Sequence, residues 1–456
     1  MQFGTIYSII YSEDFTYFGV KRLRVSFCTL GCKVNQYETV IMEQDFTARG
    51  YEIVPFGEKT DVTVINTCAV TEESARKSRQ MMRRAKKISP ETVTVVVGCL
   101  SQTEGVEKLA EADVIVGSKL KRSVPRFVDE FLMSGRRVIA VESMAHENEF
   151  EPMKTDRGER TRAQIKIQDG CNNFCSYCII PYARGRIRSK EMTEAVEEAA
   201  SIVKNGYKEI VLTGIHLDSY GKEHGRFGLC DLLERLDGLE GLERVRLGSL
   251  EPLFVSEENV ARLRRLRTLC PHFHLSLQSG SDDVLKAMNR HYTTAEYFDA
   301  VRRLRDSFGE VSVTTDIITG FPSETEDAHK RSLAFAEKVG FAKIHVFPFS
   351  PRKGTKAYDM KDQVPADVKK RRTSEMLEVA KNSAEAFYGS KVGKEVSVLF
   401  EHRKNGLFVG LTPDYAEVRV KAERDISNTV LPVRIISADG ESCLGELVNN
   451  GGNDLG

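Results

Sequence analysis

Cys171, Cys175 and Cys178 stand in the run GCNNFCSYC, a C-x3-C-x2-C spacing. Three thiolates this close can hold three irons of a [4Fe–4S] cluster and leave the fourth iron open to a small molecule. A structural zinc site wants four protein ligands, and no fourth Cys or His follows nearby. A zinc loop or chance clustering is the alternative. Cys32 (TLGCKVN), Cys68 (INTCAV) and Cys99 (VVVGCLS) are far apart, yet each ends an apolar run. If those runs are parallel neighbouring strands, the thiols meet in the crevice beyond the carboxyl ends, where α/β sheets bind ligands. Gly31 and Gly98 precede two of them and permit tight backbone approach. Three thiols without a fourth ligand again read as an open [4Fe–4S] cluster, with coincidental burial as the alternative. Cys28, Cys230, Cys270 and Cys443 have no partner pattern and read as buried. His216 and His345 read as loop or core histidines.

The elements that must position these thiols follow from periodicity. Strands are expected at 24–28, 61–66, 92–97, 112–116 and 137–141, with helices at 36–49 and 72–87, the latter capped by Thr71. Alternating strands and helices imply a parallel α/β sheet. A Glu-rich stretch, 143–162, reads as a linker between the 22–142 unit and the next. Strands at 163–168, 209–213, 244–249, 273–277, 311–318 and 343–347 then alternate with helices, including 193–205 and 295–308, as in a partial TIM-like (β/α)6 barrel over 163–388. A charged amphipathic helix at 366–388 leads out. Short strands at 394–401, 407–412, 416–421 and 431–438 imply a small antiparallel β-barrel over 389–450, before a tail at 451–456. Residues 1–21 read as an extension with no assigned role. Thr213, Gly214, Ser249, Glu251, Gln278 and Asp316 fall at barrel strand ends, where cofactor contacts collect.

The C-x3-C-x2-C run, with Tyr177 before its last Cys, resembles the radical S-adenosylmethionine enzymes. GCKVN, NTCAV and the later GC add a resemblance to the radical methylthiotransferases, from about residue 22 to 448. TGIHLDSYG, GSLEP, HLSLQSGSDDVLKAMNRHYT, TDIITGFPSETE and FPFSPRKGT match it too, and the C-terminal barrel looks like a TRAM domain. The resemblance implies that the first cluster holds S-adenosylmethionine and cleaves it to a 5′-deoxyadenosyl radical, making Cys171, Cys175 and Cys178 the catalytic set. It implies a second cluster that supplies or relays sulfur, a further S-adenosylmethionine as methyl donor, and a reductant such as a flavodoxin or ferredoxin. TLGCKVNQYET and QDGCNNFCSYCIIPYARGR look most like the branch acting on threonylcarbamoyladenosine in tRNA. The isopentenyladenosine branch shows Gln and Met where Lys33 and Val34 stand, and a third branch modifies a ribosomal-protein aspartate. A non-catalytic metal-containing RNA-binding protein is the rival from another class.

Charge bears on the tRNA expectation. The 456 residues carry 66 Lys+Arg and 66 Asp+Glu, which excludes a globally basic binder and leaves local patches. Residues 72–87 hold seven Lys/Arg, including Arg76, Arg79, Arg83 and Arg84, against two Glu. Arg184, Arg186, Arg188 and Lys190 follow the first triad. A basic tract beside each thiol set suits a polyanion; a solvated face is the alternative, and Arg184 or Arg186 could instead hold a cofactor carboxylate. Residues 386–456 hold eight Lys/Arg and ten Asp/Glu, so RNA binding there, by Arg403, Lys404, Phe408, Arg419 and Lys421, rests on resemblance alone. No run is long enough for a membrane span of about 20 residues. The first twenty residues lack the marks of a signal peptide, so a cytoplasmic location is expected.

Overall fold

The computed structural model describes residues 22–156 and 161–448; the expected extension and tail lie outside them. A six-stranded parallel sheet opens the chain, with β1 (Arg24–Thr29), β2 (Glu52–Val54), β3 (Val62–Thr67), β4 (Val93–Gly98), β5 (Val114–Val116) and β6 (Val138–Ala140) in the order β2-β1-β3-β4-β5-β6. β3, β4 and β5 are buried along their whole lengths, which is why they read as Val-rich runs, with Thr63, Asn66, Thr67 and Thr94 also buried. β2, a three-residue edge strand, was too short to show as a pattern. Helix α1 (Lys33–Ala48) starts three residues earlier than expected, directly at Cys32, which occupies its N-cap position. Helix α2 (Glu72–Ile88) has its expected cap, with the Thr71 hydroxyl accepting from the Ser74 amide.

The second unit is an arc of parallel strands. β7 (Arg162–Lys166), β10 (Glu209–Thr213) and β11 (Arg244–Leu247) form one sheet; β12 (Ser249–Leu250), β13 (His272–Leu275), β14 (Ser312–Thr319) and β15 (Lys343–Pro348) form the next. Gly248 joins β11 to β12, so the strands occupy six positions around an open barrel, as the sequence predicts. A short antiparallel pair, β8 (Gln168–Asp169) with β9 (Arg188–Ser189), closes the loop that bears the Cys171 triad. Alternation separates the two faces. Ala163, Ile165, Ile210, Leu212, Val245, Leu247, Phe273, Ile317 and Ile344 pack outward against the helices. Their neighbours Glu209, Arg246, His274, Asp316 and His345 therefore point into the lumen.

α1 lies along the β7 edge of the arc, where Gln164 Nε2 donates to Gln36 Oε1 at 2.9 Å. Residues 143–156 contain no helix or strand, but they are not a loose tether. Met153 packs with Tyr37 and Ile41 of α1, and the Met153 carbonyl accepts from the Tyr37 hydroxyl at 3.0 Å. The chain ends in a closed five-stranded barrel of β16 (Glu395–Lys404), β17 (Leu407–Leu411), β18 (Glu417–Val420), β19 (Val430–Ala438) and β20 (Cys443–Leu447). β20 was not expected. It pairs antiparallel with β19 but parallel with β18, and thereby closes the barrel. Cys443 is part of that barrel's core.

Candidate functional site

Each sequence-predicted triad converges. Cys32, Cys68 and Cys99 follow β1, β3 and β4, which are adjacent and parallel. Gly31 takes φ +107°, and a Cβ there would stand 2.9 Å from Cys68 Cβ and 3.2 Å from its sulfur. Only glycine lets the two loops approach this closely. Gly98 takes φ +106° against Asn66 and the Thr67 backbone. Asn35 ties the loops together: its amide nitrogen donates to the carbonyls of Leu30 and Thr67 at 2.8 and 2.9 Å. Cys68 and Cys99 are buried, while Cys32 keeps solvent access. Even so, the protein packed around Cys32 raises its thiol pKa, partly offset by Arg184. Burial and the neighbouring thiols push Cys68 up to about 11.

The second loop set is built around Gln168. Its Oε1 accepts from the amides of Ile215 and His216, and its Nε2 donates to the carbonyls of Asp169 and Gly170. Gly214 leaves room for it, since a Cβ there would lie 2.9 Å from Gln168 Oε1. Cys171 then receives the Asn173 amide on its sulfur at 3.4 Å. Burial pushes Cys171 up to about 11 and Cys178 up to about 12, with Cys175 adding to both.

Sequence reasoning missed the charged groups beneath both triads. Glu38, fully buried in α1, accepts from Lys166 at 2.8 Å, from Arg184 at 2.8 and 3.0 Å, and from Lys121. Asp169 shares Lys166 at 2.6 Å and Arg184 at 3.2 Å, and adds Arg188 at 3.5 Å. Arg184 also donates to Asn35 Oδ1 at 2.8 Å, so one guanidinium joins the loops of the two triads. Arg290 plays the matching part at the first triad, donating to Cys175 Sγ at 3.3 Å and to Glu251 at 2.6 Å. An Arg in the middle of a matched family stretch carries no pattern that marks it out from sequence.

These contacts correct the basic-tract expectation. Arg184 is fully buried and Arg188 is 4 % exposed, so neither faces RNA; each is a strut for Asp169 or Glu38. Lys190 is buried against Glu198 and Tyr37. Arg79 is clamped by Glu72 and Glu104, which also bind Arg352. Arg76, Arg83, Arg84 and Arg186 remain on the surface. Arg76 pairs with Glu73, Arg83 with Glu111, Arg84 covers the Phe56 ring at 5.6 Å and Arg186 covers Phe174 at 4.7 Å.

Among the predicted cofactor residues outside the cysteine loop, Glu251 is tied to the first triad through Arg290 and lies within electrostatic reach of Cys171. Tyr177 packs edge-on against Phe321 at 6.4 Å. Thr213 is buried, its carbonyl accepting from Ile167. Ser249 is exposed at the arc's rim. Gln278 holds φ +67° while its amide and carbonyl bind Asp316 and Ile318. Asp316 faces the lumen beside His274 and His345.

A model described as the radical SAM superfamily matches residues 165–336, and one described as uncharacterized protein family UPF0004 matches 24–117. A threonylcarbamoyladenosine tRNA methylthiotransferase of Bacillus subtilis is 38% identical over 424 residues, covering 91% of this chain and 94% of the relative. The protein of the same description from Thermotoga maritima is 37% identical over 437 residues, covering 94% and 98%. The chain belongs to the radical S-adenosylmethionine methylthiotransferase family. A tRNA-2-methylthio-N(6)-dimethylallyladenosine synthase of Caldicellulosiruptor saccharolyticus, of the same family, is 34% identical over 431 residues, covering 92% and 91%. The methyltransferase TsrM of Kitasatospora setae superposes with a TM-score of 0.52 at 14% identity, covering 71% of this chain and 72% of that one, a likeness of fold alone. As a methylthiotransferase of tRNA, the protein takes S-adenosylmethionine and [4Fe–4S] clusters as cofactors, two clusters being typical of the family.

The residues present fit such clusters. Among the described residues, His274, Asp316 and His345 form the group of possible ligands whose donor atoms lie within 4.8 Å of one another. The cysteine triads are wider than that, whereas one zinc ion with bonds of about 2.3 Å would draw thiolates to within about 3.8 Å. Burial favours the neutral thiol at Cys32, Cys68, Cys171 and Cys178, and a cationic centre would ionise them. Each triad also has a buried arginine beside it, Arg184 or Arg290, to offset thiolate charge. Cys32 at the head of α1 gains further from the positive end of the helix dipole.

Proposed function

We propose that this methylthiotransferase acts on N6-threonylcarbamoyladenosine beside the anticodon of tRNA and places the methylthio group at C2 of the adenine. Cys171, Cys175 and Cys178 hold the cluster that binds S-adenosylmethionine; Cys32, Cys68 and Cys99 hold the second. When bound, these groups supply the radical, the sulfur and the methyl. The chain's own part is placement. Arg290 and Glu251 set the first triad, and Asn35 and Arg184 hold the second at a fixed offset from it. The 22–142 unit carries the second cluster, 163–388 the radical chemistry, and 389–450 the TRAM-like barrel. A reductant protein such as a flavodoxin or ferredoxin, a sulfur donor and a cytoplasmic setting complete the reading. Among the described residues no helix is long and apolar enough to cross a membrane.

The observation that favours this substrate over isopentenyladenosine is the lumen. Its wall holds Arg246, His272, His274, Asp316 and His345, with the Lys33 ammonium reaching in beside them. An isoprenoid chain would desolvate these groups without pairing them. A threonylcarbamoyl group brings a carboxylate, a hydroxyl and an amide that hydrogen-bond to them. Mass spectrometry of modified nucleosides in tRNA from a deletion strain tests this reading. Loss of methylthio-threonylcarbamoyladenosine supports it; persistence of that nucleoside with loss of the isopentenyl form overturns it.

A further inference from the structure

The floor of the lumen comes from the C-terminal barrel. The turn between β17 and β18 enters the lower end of the arc, and Tyr415 sits at its tip with φ +73°, a conformation non-glycine residues seldom take. The turn is held firmly. Thr412 Oγ1 bonds Asp414 at 2.5 Å and accepts from the Ala416 amide at 2.8 Å. Ser312 Oγ of β14 donates to the Asp414 carbonyl at 2.6 Å. Arg246 donates to the carbonyls of Pro413 and Thr412 at 2.8 and 3.3 Å. Strain that is over-determined in this way is characteristic of functional positions.

Cations surround the Tyr415 ring. Arg246 lies 4.5 Å from its centroid, Arg162 5.7 Å and Lys33 6.0 Å, while the His272 ring stacks at 4.7 Å. The arginines have carboxylate partners: Arg246 with Glu209 at 2.8 Å, and Arg162 with Glu401. Lys33 has no carboxylate partner among the described residues. Two buried imidazole nitrogens nearby, His272 Nδ1 and His274 Nε2, also lack a hydrogen-bond partner. The Tyr415 phenol reports the local field. Burial works to raise its pKa, yet Lys33, Arg162 and Arg246 outweigh burial and hold it below its ordinary value. The recess thus carries an unpaired cation and an unfilled imidazole N–H, one residue from Cys32.

We propose that Lys33, above the Tyr415 floor, binds the carboxylate of the substrate's N6 substituent and so sets which modified adenosine the enzyme accepts. This rests on the threonylcarbamoyladenosine reading and deepens it. A carboxylate pairs with Lys33 and takes a hydrogen bond from whichever of His272 Nδ1 and His274 Nε2 carries the proton, since the one Thr314 hydroxyl between the rings leaves a single free N–H, in a site where charge-assisted bonds are strong. A neutral substituent does neither and leaves the ammonium buried. Specificity then comes as much from the penalty on the wrong substituent as from attraction to the right one.

The test uses the full-length, iron-loaded enzyme with S-adenosylmethionine. Its probes are anticodon stem-loops that carry threonylcarbamoyladenosine or its neutral methyl ester. Wild type is expected to bind the free acid about tenfold or more tighter than the ester. Lys33→Gln should lose that ratio, through weaker binding of the acid and equal or tighter binding of the ester once the ammonium no longer has to be buried unpaired; Lys33→Arg should restore most of it. Ester binding at least as tight as that of wild type doubles as the control for folding. If wild type converts the free acid yet binds acid and ester alike, or if Lys33→Gln keeps the ratio, the Lys33 assignment is wrong and the substrate reading stands. Should wild type fail to convert the free acid while converting an isopentenyladenosine stem-loop, the substrate reading itself fails.

Discussion

Replacing Glu38 with Gln is the sharpest perturbation of the frame that relates the two triads. Glu38 is fully buried and contacts Lys121, Lys166 and Arg184, and Asp169 contacts Lys166, Arg184 and Arg188. The substitution therefore takes the bonded carboxylate from Lys121 and leaves Lys166 and Arg184 with Asp169 alone as ion-pair partner. Gln keeps the shape and one acceptor oxygen but turns an amide donor toward cationic N–H groups. Stranding buried charge in this way costs about 3–5 kcal/mol. At about 2–4 °C per kcal/mol for a unit of 150–250 residues, the apparent melting temperature should fall by about 6–20 °C. Burial alone would raise the Glu38 carboxyl, but Arg184, Lys121 and Lys166 outweigh it and hold the group well below the usual carboxylate range. Its contribution is therefore present above the unfolded carboxyl value of about 4.3 and fades as pH falls through the folded value. Anaerobic thermal unfolding of iron-loaded protein at pH 7 and pH 4 measures both effects. At pH 4 the folded carboxyl is still ionised, so the gap between wild type and variant should narrow by less than about 1 kcal/mol; a loss below about 1 kcal/mol at pH 7, or a gap that has closed by pH 4, would refute the reasoning.

Three further outcomes are expected. Changing Cys171, Cys175 and Cys178 together to Ala should abolish S-adenosylmethionine cleavage and leave about four of about eight irons per chain; complete loss of iron in a folded protein would contradict separate sites. Arg290→Lys removes the guanidinium donor to Cys175 while keeping a positive charge, so the first cluster's midpoint potential should fall on the order of tens of millivolts in a reductive titration. An unchanged potential would mean that this contact does not tune the sulfur. Arg83→Glu with Arg84→Glu should weaken tRNA binding about tenfold and flatten its salt dependence, more than reversal at Arg419 and Lys421 does. Filter binding across a salt series decides the order, and the reverse order would make the C-terminal barrel the main anchor.

Much of the scaffold was legible because its signals are local. β3, β4 and β5 are buried on both faces, and that shows as Val-rich runs with a Cys or Gly at the exit. The C-x3-C-x2-C run is likewise a short-range pattern. The sequence could not show which charges are inside. Arg184 and Arg188 look like any basic loop, and their burial depends on Glu38 and Asp169, which meet them only in the folded chain. Glu38 sits 146 residues from Arg184, so no local pattern pairs them. Tyr415 was invisible for the same reason. A turn of one small barrel becomes the floor of a different one, and neither periodicity nor composition encodes that docking. β20 was missed because CLGEL is short and carries a central glycine, Gly445, packed against Val433 and the Arg434 carbonyl.

The central claim is that two cysteine triads, held in one frame by Glu38, Arg184 and Asn35, methylthiolate threonylcarbamoyladenosine in tRNA. The most direct test is anaerobic single-turnover reaction of the reconstituted enzyme with S-adenosylmethionine, a reductant, and tRNA carrying either threonylcarbamoyladenosine or isopentenyladenosine, followed by nucleoside mass spectrometry. The account predicts a methylthio group on the threonylcarbamoyl nucleoside, and none when either triad is changed to Ala. Methylthiolation of the isopentenyl nucleoside in preference, or undiminished product from a variant lacking Cys32, Cys68 and Cys99, would contradict it.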